Sequence, residues 1–454
     1  MRTRIQHATI INEGKRFTGT VTIEDDKIMA VIPDSDGLHC QPEAERVVEA
    51  EGMFLIPGVI DDHVHFREPG LTHKADIASE SRAAAAGGVT SYMDMPNVCP
   101  QTTDLQTLAD KFKMGAEKSL VNYSFFFGAT DRNSNLLEQL DPRTTCGVKL
   151  FMGSSTGNML VDRADALYDI FRRSPLPIMT HCEDSAVIAE NLKKCRERFG
   201  DDPDVSHHPE IRNTEACYRS TELAVRLAQE TGARLHVAHI STARELELFS
   251  HDPLAEEDGK TFRKRITAEA CVSHLLYCDA DYTRLGTRIK CNPAIKTAAD
   301  RDALRKALND GRIDVVGTDH APHLLSEKNG GCVKAVSGMP MIQFSLVSML
   351  RLAGEGVLTP EQVVELMCHN PARLFQILGR GFIREGAQAD LVLLRPDCHW
   401  TLGQDMILSK CGWSPAEGET FDWKVEQTYC NGSLVYHNGV IDSTTRGRQL
   451  IFDR

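Results

Sequence analysis

The sequence predicts an α/β protein: a (β/α)8 TIM barrel with a small β-sandwich formed by the N- and C-terminal segments. Three observations point there. Eight short apolar runs follow one another from residue 54 onward, helical patterns separate most of them, and both ends of the chain are β-rich and punctuated by turns. A strand and a helix repeated eight times is the pattern of a closed parallel barrel.

In order, the runs are "MFLIPGVID", "GVTSYMDM", "VNYSFFFGA", "CGVKLFMG", "LPIMTHCED", "ARLHVAHIS", "RITAEACV" and "IDVVGTDHA". Between them, "ADIASESRAAAAGG", "DSAVIAENLKKCRERFG", "TEACYRSTELAVRLAQETG" and "DRDALRKALNDG" carry helical periodicity and close on glycine, as a helix does at its C-cap. The ends differ: "ATIINEGKRFTGTVTIEDDKIMAVI", "ADLVLLRPD" and "VEQTYCNGSLVYHNGVI" read as strands and turns. Chain termini often lie close together in a domain, so the two ends are assigned to one split module. The expected division is residues 1–54 and 376–454 for that module and 55–375 for the barrel.

Composition narrows the function. The chain has 454 residues, ordinary hydrophobic (41%) and charged (25%) fractions, and a net charge of −13. That balance argues against nucleic acid or an anionic membrane as partner and leaves a small-molecule substrate. No export signal and no apolar stretch of about 18 residues is found, which predicts a cytoplasmic protein. The 14 cysteines contain no CxxC pair and read as reduced thiols, many of them core fillers.

The first run continues into "IDDHVHFREPG", where side chains of an extended strand alternate, so Asp61, His63, His65 and Arg67 are expected on one face. At the carboxyl end of a barrel strand that face is the active-site mouth. A single His-x-His is a weak signal. Here His181 ends the fifth run, His239 the sixth, and Asp319 follows the eighth, with His323 downstream. Neutral imidazoles and a carboxylate from several strand ends form a metal-ligand set. In the sixth run Leu235, Val237 and His239 are expected to share a face, and His236 to point away as an ordinary core histidine. Arg67, beyond the ligand pair, suits a bidentate grip on a carboxylate.

Lys149 ends the fourth run. An inward lysine is ordinarily paired with a carboxylate. Between two divalent metals an ammonium is repelled, whereas a neutral amine can add carbon dioxide and become an anionic carbamate that bridges both ions.

"DDHVHFREPG", "MPNVCP", "GVKLFMG", "HCED", "AHIST", "CNPAIK" and "TDHAPH", in this order, resemble the amidohydrolase superfamily and, within it, the dihydroorotases of the class I type; "GAQADLVLL" looks like the sandwich module of that superfamily. The resemblance implies two Zn²⁺ per chain. His63, His65 and Asp319 would hold the more buried ion, His181 and His239 the other, with carboxylated Lys149 and a hydroxide between them. It also implies that Asn97 and His323 join Arg67 around a substrate carboxylate, while Asn292 and the backbone near Gly338 hold the ring edge. The implied reaction is the reversible cyclisation of N-carbamoyl-L-aspartate to L-dihydroorotate in de novo pyrimidine synthesis, with Asp319 as general acid and base. Two alternatives remain at this point. A hydantoinase, dihydropyrimidinase or allantoinase would share the metal site without the carboxylate clamp, and a non-catalytic scaffold relative should have lost ligands that this chain keeps. Homo-oligomers, association with the pathway's carbamoyltransferase, and a mobile lid in "GSSTGNML" are all compatible with the sequence.

Overall fold

The computed structural model describes residues 1–36, 43–153, 159–254 and 263–454. Most of the "GSSTGNML" stretch, 154–158, therefore lies outside the described residues. The barrel strands are Val59–Val64, Val89–Asp94, Asn122–Phe125 continuing as Phe127–Gly128, Val148–Phe151, Ile178–His181, Leu235–Val237, Ile266–Cys271 and Val315–Gly317. Each pairs in parallel with the next. The third strand bends at Phe126, giving one N–H back to Asp94 and the next forward to Gly147. The eighth strand closes on the first just beyond its end, where His65 N–H donates to the His320 carbonyl at 2.7 Å.

Alternation along these strands divides two cores. Ile60, Met93, Met179, Ala238 and Val315 point into the barrel with Phe126 and Cys146. Val59, Val89, Val148, Leu150, Ile178, Leu235 and Val237 point outward, beneath helices. Both faces of a parallel strand are thus buried, which is why the runs read as nearly continuous apolar sequence. The intervening helices include Ile77–Ala86, Ser185–Phe199, Thr214–Thr231 and Ala298–Asp310. Their first turns are capped by Asp76, Asp184, Asn213 and Thr297, whose side chains accept otherwise unpaired backbone N–H groups.

The ends of the chain weave one nine-stranded sheet. Strands Arg2–Asn12, Lys15–Glu24 and Lys27–Pro33 form its N-terminal half, with Arg46–Glu49 alongside the first of them. Leu391–Arg395, Lys424–Cys430, Ser433–His437 and Val440–Ile441 form the C-terminal half. Phe54–Pro57 joins the two halves, parallel to Arg2–Asn12 and antiparallel to Leu391–Arg395. Period two again sorts the side chains: Leu55, Leu391 and Leu393 fill a core private to this sheet, whereas Ile56, Val392 and Leu394 pack on the barrel's helix-side core. The last residues return to the barrel, where Leu450 and Phe452 close its floor beside Phe375.

The run "MFLIPGVID" is consequently two strands in two sheets, and the first barrel strand begins at Val59. Gly58 makes the switch possible. A Cβ there would sit 2.0 Å from the Thr90 hydroxyl and 2.5 Å from its methyl group. Gly58→Ala is expected to cost about 1–3 kcal/mol through this overlap, read as a lower denaturant midpoint at unchanged slope. Adding Thr90→Ala should recover part of the loss; a Gly58→Ala chain as stable as the parent would show that the junction tolerates a side chain.

Candidate metal centre and substrate pocket

One cavity at the carboxyl end of the barrel is lined by His63, His65, Arg67, Asn97, Lys149, Phe151, His181, His239, Asn292, Asp319 and Gly338, among others. Every residue assigned to the site from the sequence borders it except His323, which reaches it through Arg67. The residues arrive from six strand ends, so only the closed barrel brings them together.

The first strand supplies His63 and His65. The His63 Nδ1–H points to Glu269 Oε2 at 2.9 Å, and the His65 Nδ1–H points to Asn97 Oδ1 at 2.8 Å. Both Nε2 atoms are then bare lone pairs, and they face the same oxygen, Asp319 Oδ1, at 3.4 and 3.0 Å. Burial holds the His63 imidazole down to about 3 and that of His65 to about 4, so neither takes up a proton at neutral pH. Burial alone would raise the Asp319 carboxyl, but His63, His65 and Lys149 outweigh it and keep the group ionised. Three electron-rich atoms thus converge with no hydrogen between them. A cation relieves that repulsion, and one ligand atom from each of His63, His65 and Asp319 lies within 4.8 Å of the others.

His181 and His239 stand beside this group, with His181 Nδ1 2.9 Å from His239 Nε2 and the His63 and His239 ring centroids 5.4 Å apart. Burial pushes His239 well below the usual imidazole range, with His181 adding to the effect. Lys149 is 1% exposed, and its Nζ has no hydrogen-bond partner among the described residues. Burial lowers its ammonium's hold on the proton. An orphaned, desolvated amine among neutral imidazoles and a carboxylate fits a centre that holds divalent ions.

Simple alternation does not account for these directions. Arg67, His239 and Asp319 all adopt positive φ (66°, 41° and 46°), the left-handed region that non-glycine residues seldom occupy. His239 lies two residues past its strand and turns into the mouth, while Leu235 and Val237 face the helices. His236 is the residue that points into the barrel, bonded to Asp62 and Thr267. Asp61 turns aside to the eighth strand, accepting from the Thr318 hydroxyl at 2.6 Å and leaving His63 and His65 to the mouth.

On the substrate side, Arg67 is 3% exposed. Its Nε donates to the Pro322 carbonyl at 3.0 Å, and Nη2 lies 2.9 Å from His323 Nε2. Among the described residues no carboxylate is within ion-pair distance of it, and burial brings the guanidinium down to about 10. Gly338 has φ 129° and lies so close to Ala321 and His323 that a Cβ would meet the Ala321 carbonyl at 2.7 Å. Asn292 faces His208, whose Nε2 is 3.1 Å from the Asn292 Oδ1.

Glu269 was not singled out from the sequence. It sits fully buried in the seventh strand and braces two ligands at once, accepting from His63 Nδ1 and from the His239 backbone N–H at 2.8 Å. Burial pushes its carboxyl up to about 7. The signal was a lone acid inside an apolar parallel strand, a position where an unpaired charge is not tolerated.

The Amidohydrolase family model matches residues 54–435. The dihydroorotase of Methanosarcina mazei is 32% identical over 381 residues, 83% of this chain and 82% of that protein. The allantoinase of Bacillus velezensis is 29% identical over 443 residues, covering 96% and 94%. Among solved structures, the L-hydantoinase (dihydropyrimidinase) from Arthrobacter aurescens superposes with a TM-score of 0.89 at 26% identity, covering 97% of each chain.

Replacing Glu269 by Leu keeps the volume and removes the brace. Metal affinity is expected to fall roughly 10–100-fold, measured by competition with a chromogenic chelator, while circular dichroism stays native. Unchanged affinity would mean that His63 and His239 hold their orientation without Glu269.

Proposed function

The chain belongs to the amidohydrolase family and is a cyclic amide hydrolase, and we propose that its substrate pair is L-dihydroorotate and N-carbamoyl-L-aspartate. The observation that carries this reading is Arg67. Among the described residues its hydrogen-bond partners are a carbonyl and an imidazole and no carboxylate is within ion-pair distance, so this buried guanidinium is a cation in want of an anion. Dihydroorotate carries a carboxylate on its ring; dihydrouracil, hydantoin and allantoin do not.

In this reading His63, His65 and Asp319 would hold one divalent ion and His181 and His239 a second, both zinc, and Lys149, carboxylated, would supply an anionic oxygen ligand. The carbamate forms when the neutral amine adds to carbon dioxide, making an N–C bond and releasing one proton. When bound, the ions supply hydroxide near neutral pH and polarise the scissile carbonyl. Arg67, Asn97 and His323 grip the ring carboxylate, and Asn292 with the backbone at Gly338 orients the opposite edge. Asp319, ionised at neutral pH, takes the proton of the attacking water and passes it to the departing ring nitrogen. Ring closure retraces the path. Enzymes of the hydantoinase or allantoinase type need the same metal residues without the clamp, so substrate charge separates the readings.

Wild type should turn over dihydroorotate roughly a thousandfold better than dihydrouracil, hydantoin or allantoin, because an unpaired buried guanidinium penalises the uncharged rings. Arg67→Met should remove most of that advantage with metal content intact. Comparison of kcat/KM for the four rings decides the matter, and preference for an uncharged ring would hand the chain to the alternative class. Asp319→Asn keeps an oxygen ligand and loses the proton carrier; turnover should fall by about 10²–10⁴ with metal retained. A metal-loaded Asn variant of near-normal activity would remove Asp319 from proton transfer.

A further inference from the structure

His323 is 1% exposed and stands between two cations. Its Nδ1 lies 3.0 Å from Lys74 Nζ, and its Nε2 lies 2.9 Å from Arg67 Nη2. Both neighbours are donors only, while a neutral imidazole has a single lone pair on nitrogen and a single N–H. One contact can therefore be a hydrogen bond and the other must set a hydrogen against a hydrogen. Protonating the ring would make both contacts repulsive, and burial together with Arg67, Lys74 and Lys328 keeps the proton off.

The two sides differ in what can relieve the conflict. On the Nδ1 side the nearest carboxylate among the described residues, Glu327, is engaged elsewhere and lies beyond hydrogen-bond reach. Glu327 Oε1 receives Lys74 at 2.7 Å, Glu327 Oε2 receives the Leu324 N–H at 2.9 Å, and that oxygen is 3.7 Å from Nδ1. Lys328 is likewise committed, donating to the carbonyls of Lys290, Val336 and Gly338. An N–H at Nδ1 would face an ammonium with no acceptor in reach among the described residues. On the Nε2 side lies Arg67, at the mouth of the substrate cavity, where an incoming carboxylate can accept from the guanidinium and the imidazole together.

We propose that Lys74 is a positioning residue for the anion clamp: by donating to His323 Nδ1 it fixes the Nε2–H tautomer, so that His323 and Arg67 present converging donors to the substrate's carboxylate. This deepens the substrate reading given above and rests on it. Glu327 holds Lys74 in place and offsets its charge, so Arg67 is the cation left at the mouth to meet the carboxylate. Trp413 steadies the same residue from behind, its Nε1–H donating to the His323 carbonyl at 2.7 Å. Lys74 lies in "LTHKAD", beyond the motif that ends at Gly70.

The test uses the metal-loaded chain with L-dihydroorotate and dihydrouracil. Lys74→Met frees His323 to turn its lone pair toward the carboxylate, so KM for dihydroorotate should rise about tenfold or more, the size of effect expected on losing a charge-assisted hydrogen bond. Its kcat should move much less, and the loss should fall at least tenfold harder on dihydroorotate than on dihydrouracil. Lys74→Arg, which restores a donor, should recover most of it. Because Lys74 acts through His323, the double variant Lys74→Met/His323→Asn should be no worse than His323→Asn alone. In the dihydroorotate complex, the nitrogen-15 resonances of His323, identified by their loss in His323→Asn, should read Nε2 as protonated and Nδ1 as bare; this measurement needs no variant at Lys74. A protonated Nδ1, an unchanged KM in Lys74→Met, equal losses for both rings, or losses that multiply in the double variant would each overturn the role of Lys74. A wild type that prefers dihydrouracil would instead fail the substrate reading, and the clamp with it.

Discussion

Closure of the eighth strand on the first is the constraint from which the site follows. Hydrogen bonds seam the barrel at that point: His65 N–H donates to the His320 carbonyl, and Thr318 donates to Asp61 through both its hydroxyl and its backbone N–H. The seam sets Asp319 opposite His63 and His65, although more than 250 residues separate them in the chain. With the seam open, neither the ligand trio nor the pairing of Arg67 with the Pro322 carbonyl exists. Barrels place active sites at this face because each strand end is held by its neighbours while its loop remains free to vary.

Electrostatic conflict is stored on both sides of the mouth. At the metal side, two imidazole lone pairs and a carboxylate oxygen face one another with no hydrogen to share. At the clamp side, an imidazole lies between two cationic donors with only one lone pair to give. In the proposed reading the first conflict is settled by a cation and the second by an anion. A folded chain pays for both in stability and gains selectivity, since a ligand of the wrong charge leaves a buried conflict standing. The brace behind them is less strained: Glu269 takes two N–H groups, and Asp62 pairs with His236 beneath.

The flanking sheet contributes to the same site at a distance. Its alternating residues lock onto the barrel's helical layer through Val392 and Leu394, and the Thr428 hydroxyl donates to the Ala85 carbonyl at 2.7 Å. The segment between its C-terminal strands crosses toward the mouth, where Ser409 bonds Glu80, Glu80 bonds His320, and Trp413 bonds His323. The start of the eighth strand's loop is thereby tied at His320 and His323 to a module built from the chain's own termini.

Much of this was legible in order along the chain. Apolar runs and helical segments are local signals, because a strand or helix face repeats every two or about 3.6 residues. They led to the barrel, and histidines at the ends of those runs led to residues that line its cavity. Three features needed the tertiary structure. Alternation placed Asp61 with His63 and pointed His239 along with Leu235, but a left-handed residue or a bulge shifts the phase of the repeat, and the neighbouring strand imposes that shift. The run through Gly58 read as one strand, yet the pairing partners of its halves lie in different sheets. Glu269, Glu327 and Lys74 carry no motif, since what each does depends on a partner hydrogen-bonded or ion-paired across the fold. The sequence alone therefore determined the architecture and the kinds of ligand atoms, which follow from local periodicity and side-chain chemistry. Which way those atoms point, and which of their hydrogens are already spent, was decided only by the tertiary structure, because direction and hydrogen-bond partner are set by residues tens to hundreds of positions away.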